Sequence, residues 1–79
     1  MRLDKYLKVS RLIKRRTVAR EACDGGRVSV NGRTAKAGYY VKEGDIVEIA
    51  FGTRTVKVEI TSVAETVRKE EAKEMYRYI

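Results

Sequence analysis

The dipeptide Gly25-Gly26 divides this chain into two parts with different hydrophobic periods, and no all-helical or all-strand fold satisfies both. Before it, Leu3, Tyr6, Leu7 and Ser10 fall at i, i+3, i+4 and i+7, one side of a helix. After it, Val28 and Val30 alternate with Arg27 and Ser29, Val47, Ile49 and Phe51 share one face, and Val56, Val58 and Ile60 share another run. Glycine enters the left-handed turn that ends a helix without steric penalty, so the pair marks the switch. The pattern predicts an α+β unit: two N-terminal helices packed on a small twisted, mostly antiparallel sheet.

The first helix is expected from Arg2 to Ser10, with Arg2, Lys5 and Lys8 projecting away from its apolar side. Asp4 falls in its first turn, where a carboxylate suits the helix dipole. Arg11, Leu12 and Ile13 form a short connection whose aliphatics plug the core. A second helix is expected over Arg16–Asp24, with Val18, Ala19, Ala22 and Cys23 inward. Asn31-Gly32 is a strong hairpin signal, with Thr34 and Ala35 opening the return strand. Gly44-Asp45 and Gly52-Thr53 bound two more strands, over 46–51 and 55–63. From Arg68 helical spacing returns at Ala72, Met75, Tyr76 and Ile79, which predicts a short C-terminal helix carrying Tyr76 and Tyr78.

Charge separates along the same divide. Residues 1–36 hold eleven Lys/Arg against three Asp/Glu, giving +8, while residues 37–79 hold seven against eight, giving −1. A one-sided excess presents a field suited to a polyanion, and nucleic acid is the partner it favours. The single cysteine, Cys23, allows no internal disulfide, which fits a reducing compartment and a cytoplasmic location. Apolar runs are only a few residues long, so neither a bilayer span nor a signal peptide is expected. Catalysis has little to stand on. The chain has no histidine, no ligand cluster with zinc spacing and no P-loop pattern, so no enzyme, metal or cofactor is expected. The acidic residues Glu65, Glu70, Glu71 and Glu74 read as a helix surface facing Arg68, Lys69, Lys73 and Arg77.

Lys14, Arg15 and Arg16 crowd the start of the second helix, where each cation is unfavourable by about 0.3–1 kcal/mol. Thr17 offers an alternative N-cap that would shorten the helix by two residues. A bound phosphate turns the crowding into a site, because helix N-termini and cations both favour anions. Arg20 lies one turn from Arg16 and either grips a neighbouring phosphate or pairs with Asp24. Lys8 and Arg11 read equally well as solvated charges. Asp4 cannot bind phosphate directly and is expected to order Arg2 or Arg16. Tyr39 and Tyr40, beside Lys36 and Lys42, are candidates for base stacking, although strand alternation would bury one of them.

In order and spacing, RLDKYL at 2–7, KRR at 14–16, Ala19, GGRVSVNG at 25–32 and EGDIVEI at 43–49 resemble the RNA-binding domain named after ribosomal protein S4. The resemblance covers residues 1–50, with 51–79 completing the same single domain as in the stand-alone heat-shock-protein-15 family. It is nearest to the Gram-positive-type members that serve in ribosome quality control. What the resemblance implies is a protein that binds large-subunit ribosomal RNA and peptidyl-tRNA on split, stalled ribosomes. It also implies support for a partner factor that adds C-terminal tails, with the protein itself a monomer off the ribosome. The family's basic surface adds weight to Arg2 and Lys5. One departure stands out: the family's usual capping serine is replaced by Arg15. Three other readings remain: a general ribosomal-RNA-binding or assembly factor, a helix-turn-helix DNA binder, and a protein adaptor working through the C-terminal helix. The DNA reading is disfavoured because residues 17–24 offer few polar base-reading side chains.

Overall fold

Two short helices cover one face of a five-stranded antiparallel sheet in the computed structural model, which describes residues 1–79. Helix α1 spans Leu3–Val9 and α2 spans Arg16–Asp24. Strands β1 (Val28–Val30), β2 (Arg33–Thr34), β3 (Ile46–Phe51), β4 (Arg54–Ile60) and β5 (Tyr76–Tyr78) lie in the order β2-β1-β3-β4-β5. A 3₁₀ helix at Lys69–Met75 precedes β5. No helix is long and apolar enough to cross a membrane.

The expected periods place the core. Leu3, Tyr6 and Leu7 of α1 and Ala19, Ala22 and Cys23 of α2 are buried against Val28, Val30, Val47, Ile49, Val58 and Ile60 of the sheet. Ile13 plugs the interhelical connection. Burial pushes the Cys23 thiol up to about 11, with Asp4 and Asp24 adding to the effect, so it stays a protonated packing group at neutral pH. At the divide, Gly26 adopts φ 81°, and a Cβ on Gly25 would stand 2.9 Å from the Glu21 carbonyl oxygen. Both positions therefore need glycine.

The hairpin turns where expected, with Asn31 and Gly32 both at positive φ (53° and 85°) as a type I′ turn requires. Asn31 also ties this turn to the next strand. Its Oδ1 accepts from the Ile46 N–H at 2.9 Å, and its Nδ2 donates to the buried Asp45 carboxylate at 3.1 Å. Asp45 further accepts from the Lys42 N–H at 3.0 Å and the Lys42 Nζ at 3.2 Å.

The short C-terminal helix forms over Lys69–Met75, but the structure departs from expectation just beyond it and at Val18. The C-terminal segment is not a continuous helix: Tyr76 and Tyr78 belong to β5, paired with Ile60 and Val58 of β4. Met75 fixes this path, because its carbonyl accepts from the buried Tyr6 hydroxyl at 2.8 Å and from the Thr61 N–H at 2.9 Å. Phe51 shares the face of Val47 and Ile49 as expected, and at the far end of β3 it is 38% exposed. Val18, expected inward, is also largely exposed.

Asp45 joins two turns through three donors, so Asp45→Ala should lower stability by about 1–3 kcal/mol, the cost of leaving such donors unpaired. Chemical denaturation followed by circular dichroism measures it.

Candidate nucleic-acid interface

The Asp4 side chain, only 3% exposed, holds two arginines from different parts of the chain. Arg2 Nε donates to Oδ1 at 3.2 Å, and Arg16 Nε donates to Oδ2 at 3.3 Å. The Lys5 N–H adds a third bond to Asp4 at 2.8 Å. Burial pushes this carboxyl up, but hydrogen bonds from Arg16, Arg2 and the Lys5 amide outweigh burial and hold it below the usual carboxylate range. Asp4 thus orders Arg2 and Arg16 together, where the sequence alone left one or the other.

Arg16 is the hinge of the surface. On one side Arg2, Asp4, Arg16, Thr17 and Arg20 line a shallow cleft. On the other, Lys5, Lys8, Val9, Arg11 and Arg16 line a second, closed off by Glu65, Thr66 and Val67. Six of the eight expected cations therefore line the two clefts, which meet at Arg16. Lys14 and Arg15 line neither cleft and project from the α1–α2 connection. Arg20 forms no ion pair with Asp24, nor do Lys8, Arg11, Lys14 or Arg15 pair with any carboxylate.

Helix α2 begins at Arg16, with Arg15 as N-cap and no capping side chain, so the alternative cap at Thr17 is not used. Its first-turn amides at Arg16, Thr17 and Val18 donate to no protein acceptor. The α1 N-terminus is treated differently. The Leu3 N–H donates to the Tyr39 carbonyl at 2.7 Å and the Asp4 N–H to the Ala37 carbonyl at 3.2 Å. The loop around Tyr39 thereby caps α1 and lies beside Arg2. A Cβ on Gly38 would stand 3.9 Å from the Arg2 guanidinium. Asp24 docks the same loop onto α2 by accepting from the Ala37 N–H at 3.0 Å.

Both tyrosines of that loop are exposed, Tyr40 by 71%, which corrects the expectation that one is core. The segment is not a strand: apart from a lone bridge between Arg2 and Tyr40 it carries no ladder, so side-chain alternation does not apply. Ala37 and Val41 fill the core positions instead.

Residues 1–47 match the S4 domain, over half of the chain. The chain belongs to the S4-domain family. Curated relatives named "RQC P-site tRNA stabilizing factor" include the protein of Halalkalibacterium halodurans, 67% identical over 76 residues, spanning 96% of this chain and 86% of that protein. The Bacillus subtilis protein of the same name is 55% identical, over 96% of this chain and 88% of its own. Among solved structures, the trimeric heat shock protein 15 of Vibrio cholerae superposes with a TM-score of 0.93 at 32% identity, covering all of this chain and 81% of that one.

Beyond the matched residues, the side chain that sequence reasoning misplaced is Glu65. It is not on a helix surface; it crosses 60 positions to pair with Lys5 inside the basic cleft. That hydrogen bond holds its carboxyl below the ordinary range. Nor do its acidic companions simply face the nearby cations. Glu71 accepts from the Arg68 N–H at 3.1 Å, and Arg77 pairs with Glu59 across β4 and β5. No local pattern marks Glu65, because its partner is distant in the chain.

Two outcomes follow from these carboxylates. Because Asp4 titrates below its ordinary value of 3.8, its stabilisation is complete above about pH 4 and is lost as pH falls through the lowered folded value. Asp4→Asn should therefore cost about 1–3 kcal/mol at neutral pH and flatten the acid limb of the melting-temperature profile. Glu65→Gln should instead leave the melting temperature nearly unchanged and raise affinity for RNA severalfold by freeing Lys5, as read by a filter-binding titration.

Proposed function

We propose that this chain is a non-enzymatic RNA-binding protein of the large ribosomal subunit. It contacts ribosomal RNA and peptidyl-tRNA on stalled, split ribosomes and supports C-terminal tailing by a partner factor in ribosome quality control. The observation that carries this reading is the Asp4-centred pair of Arg2 and Arg16 within an S4 domain, on a surface where Lys8, Arg11, Lys14, Arg15 and Arg20 form no ion pair and Lys5 pairs only with the exposed Glu65. The names of the relatives give the ribosomal context: those proteins are called P-site tRNA stabilizing factors.

On this reading each basic residue has a role. Arg2, Arg16 and Arg20 take phosphates on one side, with the free α2 amides beside them. Lys5, Lys8 and Arg11 take phosphates on the other, once Lys5 exchanges Glu65 for RNA. Lys14 and Arg15 supply long-range attraction from the connecting loop. Tyr39 and Tyr40 are in place to stack on unpaired bases, with Tyr40 bridged to the backbone of Arg2. Residues 1–50 form the RNA-reading unit, and 51–79 complete the same domain. The protein works in the cytoplasm, without metal or cofactor, and is a monomer when off the ribosome.

A domain of this size reads an assembled RNA surface, with charge giving affinity and shape giving selectivity. Arg16→Ala and Arg2→Ala should each weaken binding to large subunits by about tenfold, with steep salt dependence from counterion release. Sedimentation with empty large subunits and with subunits carrying a stalled nascent chain separates the readings. Preference for loaded subunits supports quality control; equal binding to both leaves a general ribosomal-RNA binder; preference for small subunits overturns the proposal.

A further inference from the structure

The core face of the sheet runs on past its helical cover. Along β3 and β4 the same face carries Val47 and Val58, then Ile49 and Val56, then Phe51 and Arg54, and burial decreases step by step along that series. Tyr78 of β5, opposite Val58, extends the uncovered area and is 66% exposed. The Tyr76 and Tyr78 rings meet edge to face with centroids 5.4 Å apart. A groove results, lined by Leu12, Phe51, Tyr76 and Tyr78 between the arginines Arg11 and Arg54.

Three features indicate what the groove takes. No carboxylate lines it, so it suits an anion, and a two-fold contact between copies at this groove would bring four arginines together. It is continuous with the basic cleft, because Arg11 lines both. Arg11 is also held in the left-handed region at φ 64°, at the C-terminal turn of α1 where glycine is the usual choice. Arginine carries a conformational penalty in that region, and here it is the residue that joins cleft to groove. Aromatic rings flanked by cations are the elements that bind unpaired nucleotides, base on ring and phosphate on cation.

We propose that this overhang is a second RNA site, which takes one unpaired nucleotide with its base on Tyr78 and Phe51 and its phosphate between Arg11 and Arg54. The site rests on the RNA-binding reading but lies outside the Arg2–Arg16 cleft, so the two can fail separately. The test is an amide-shift titration of the ¹⁵N-labelled chain with single-stranded oligouridylate, beside affinities for Tyr78→Leu, Tyr78→Phe and Arg54→Ala. Amide shifts at Phe51, Arg54 and Tyr78 are expected, with affinity lowered about tenfold by Tyr78→Leu and by Arg54→Ala and retained by Tyr78→Phe. Leucine keeps the apolar contact with the sheet, and a melt of each variant separates lost stacking from lost folding. Shifts confined to Arg2, Arg16 and Arg20 would overturn the groove while leaving the cleft standing. Shifts at the groove without any at the cleft would support the groove and count against the cleft. No shift at all overturns the groove, as do concentration-dependent shifts of the same amides without RNA, which would assign it to self-association.

Discussion

Burying a carboxylate in so small a domain is unfavourable unless hydrogen bonds replace the lost water, and Asp4 is buried because three donors converge on it. The other features of the basic surface depend on that arrangement. Arg2 precedes α1 and Arg16 opens α2, so the shared carboxylate fixes the two helices' basic ends relative to each other. It also supplies the negative charge that the first turn of α2 lacks in its own sequence. Each guanidinium remains nearly half exposed, so ordering has not removed it from solvent or from a ligand. Guanidinium groups ordered in this way lose less side-chain freedom on meeting an anion than mobile surface cations do.

The two helix N-termini divide the work. At α1 the orphan amides are satisfied by carbonyls of the Tyr39 loop, which makes that end structural and brings the tyrosines to Arg2. At α2 they face solvent beneath a crowd of cations, an arrangement poor for an isolated helix and good for an anion. Placing Arg15 where a capping serine would serve stability shifts that helix end further toward binding.

Much of this was legible in the sequence because it is local. Periodicity, the Gly25-Gly26 stop, the Asn31-Gly32 turn and the register of Val47, Ile49, Val58 and Ile60 each depend on neighbouring residues. What was not legible depends on contacts distant in the chain. Helical spacing from Arg68 is genuine as far as Met75, but pairing with β4 and the Tyr6 hydrogen bond then draw the chain into a strand. Tyr39 and Tyr40 resemble an alternating pair, yet the loop's carbonyls are committed to α1, which leaves no ladder to impose alternation. The cations around Arg16 were all visible as residues; their division into two clefts was not, because Asp4 and Glu65 arrange it through tertiary contacts.

Those two carboxylates also differ in kind, and the difference bears on how such a surface binds. Asp4 is buried, multiply hydrogen-bonded and shares a cleft with three arginines, so that cleft stays positive with Asp4 in place. Displacing it would strand a buried charge, which is far more costly than separating an exposed pair. Glu65 is solvent-exposed and makes one contact, with a lysine whose ammonium presents a point charge and no fixed fork. An incoming phosphate can replace it while water takes up the released carboxylate. The surface therefore carries one counter-ion that organises it and one that can be exchanged, and only the second comes from the near-neutral C-terminal half. That half thus does more than complete the sheet: through Glu65 it supplies the counter-ion of Lys5 in the basic cleft.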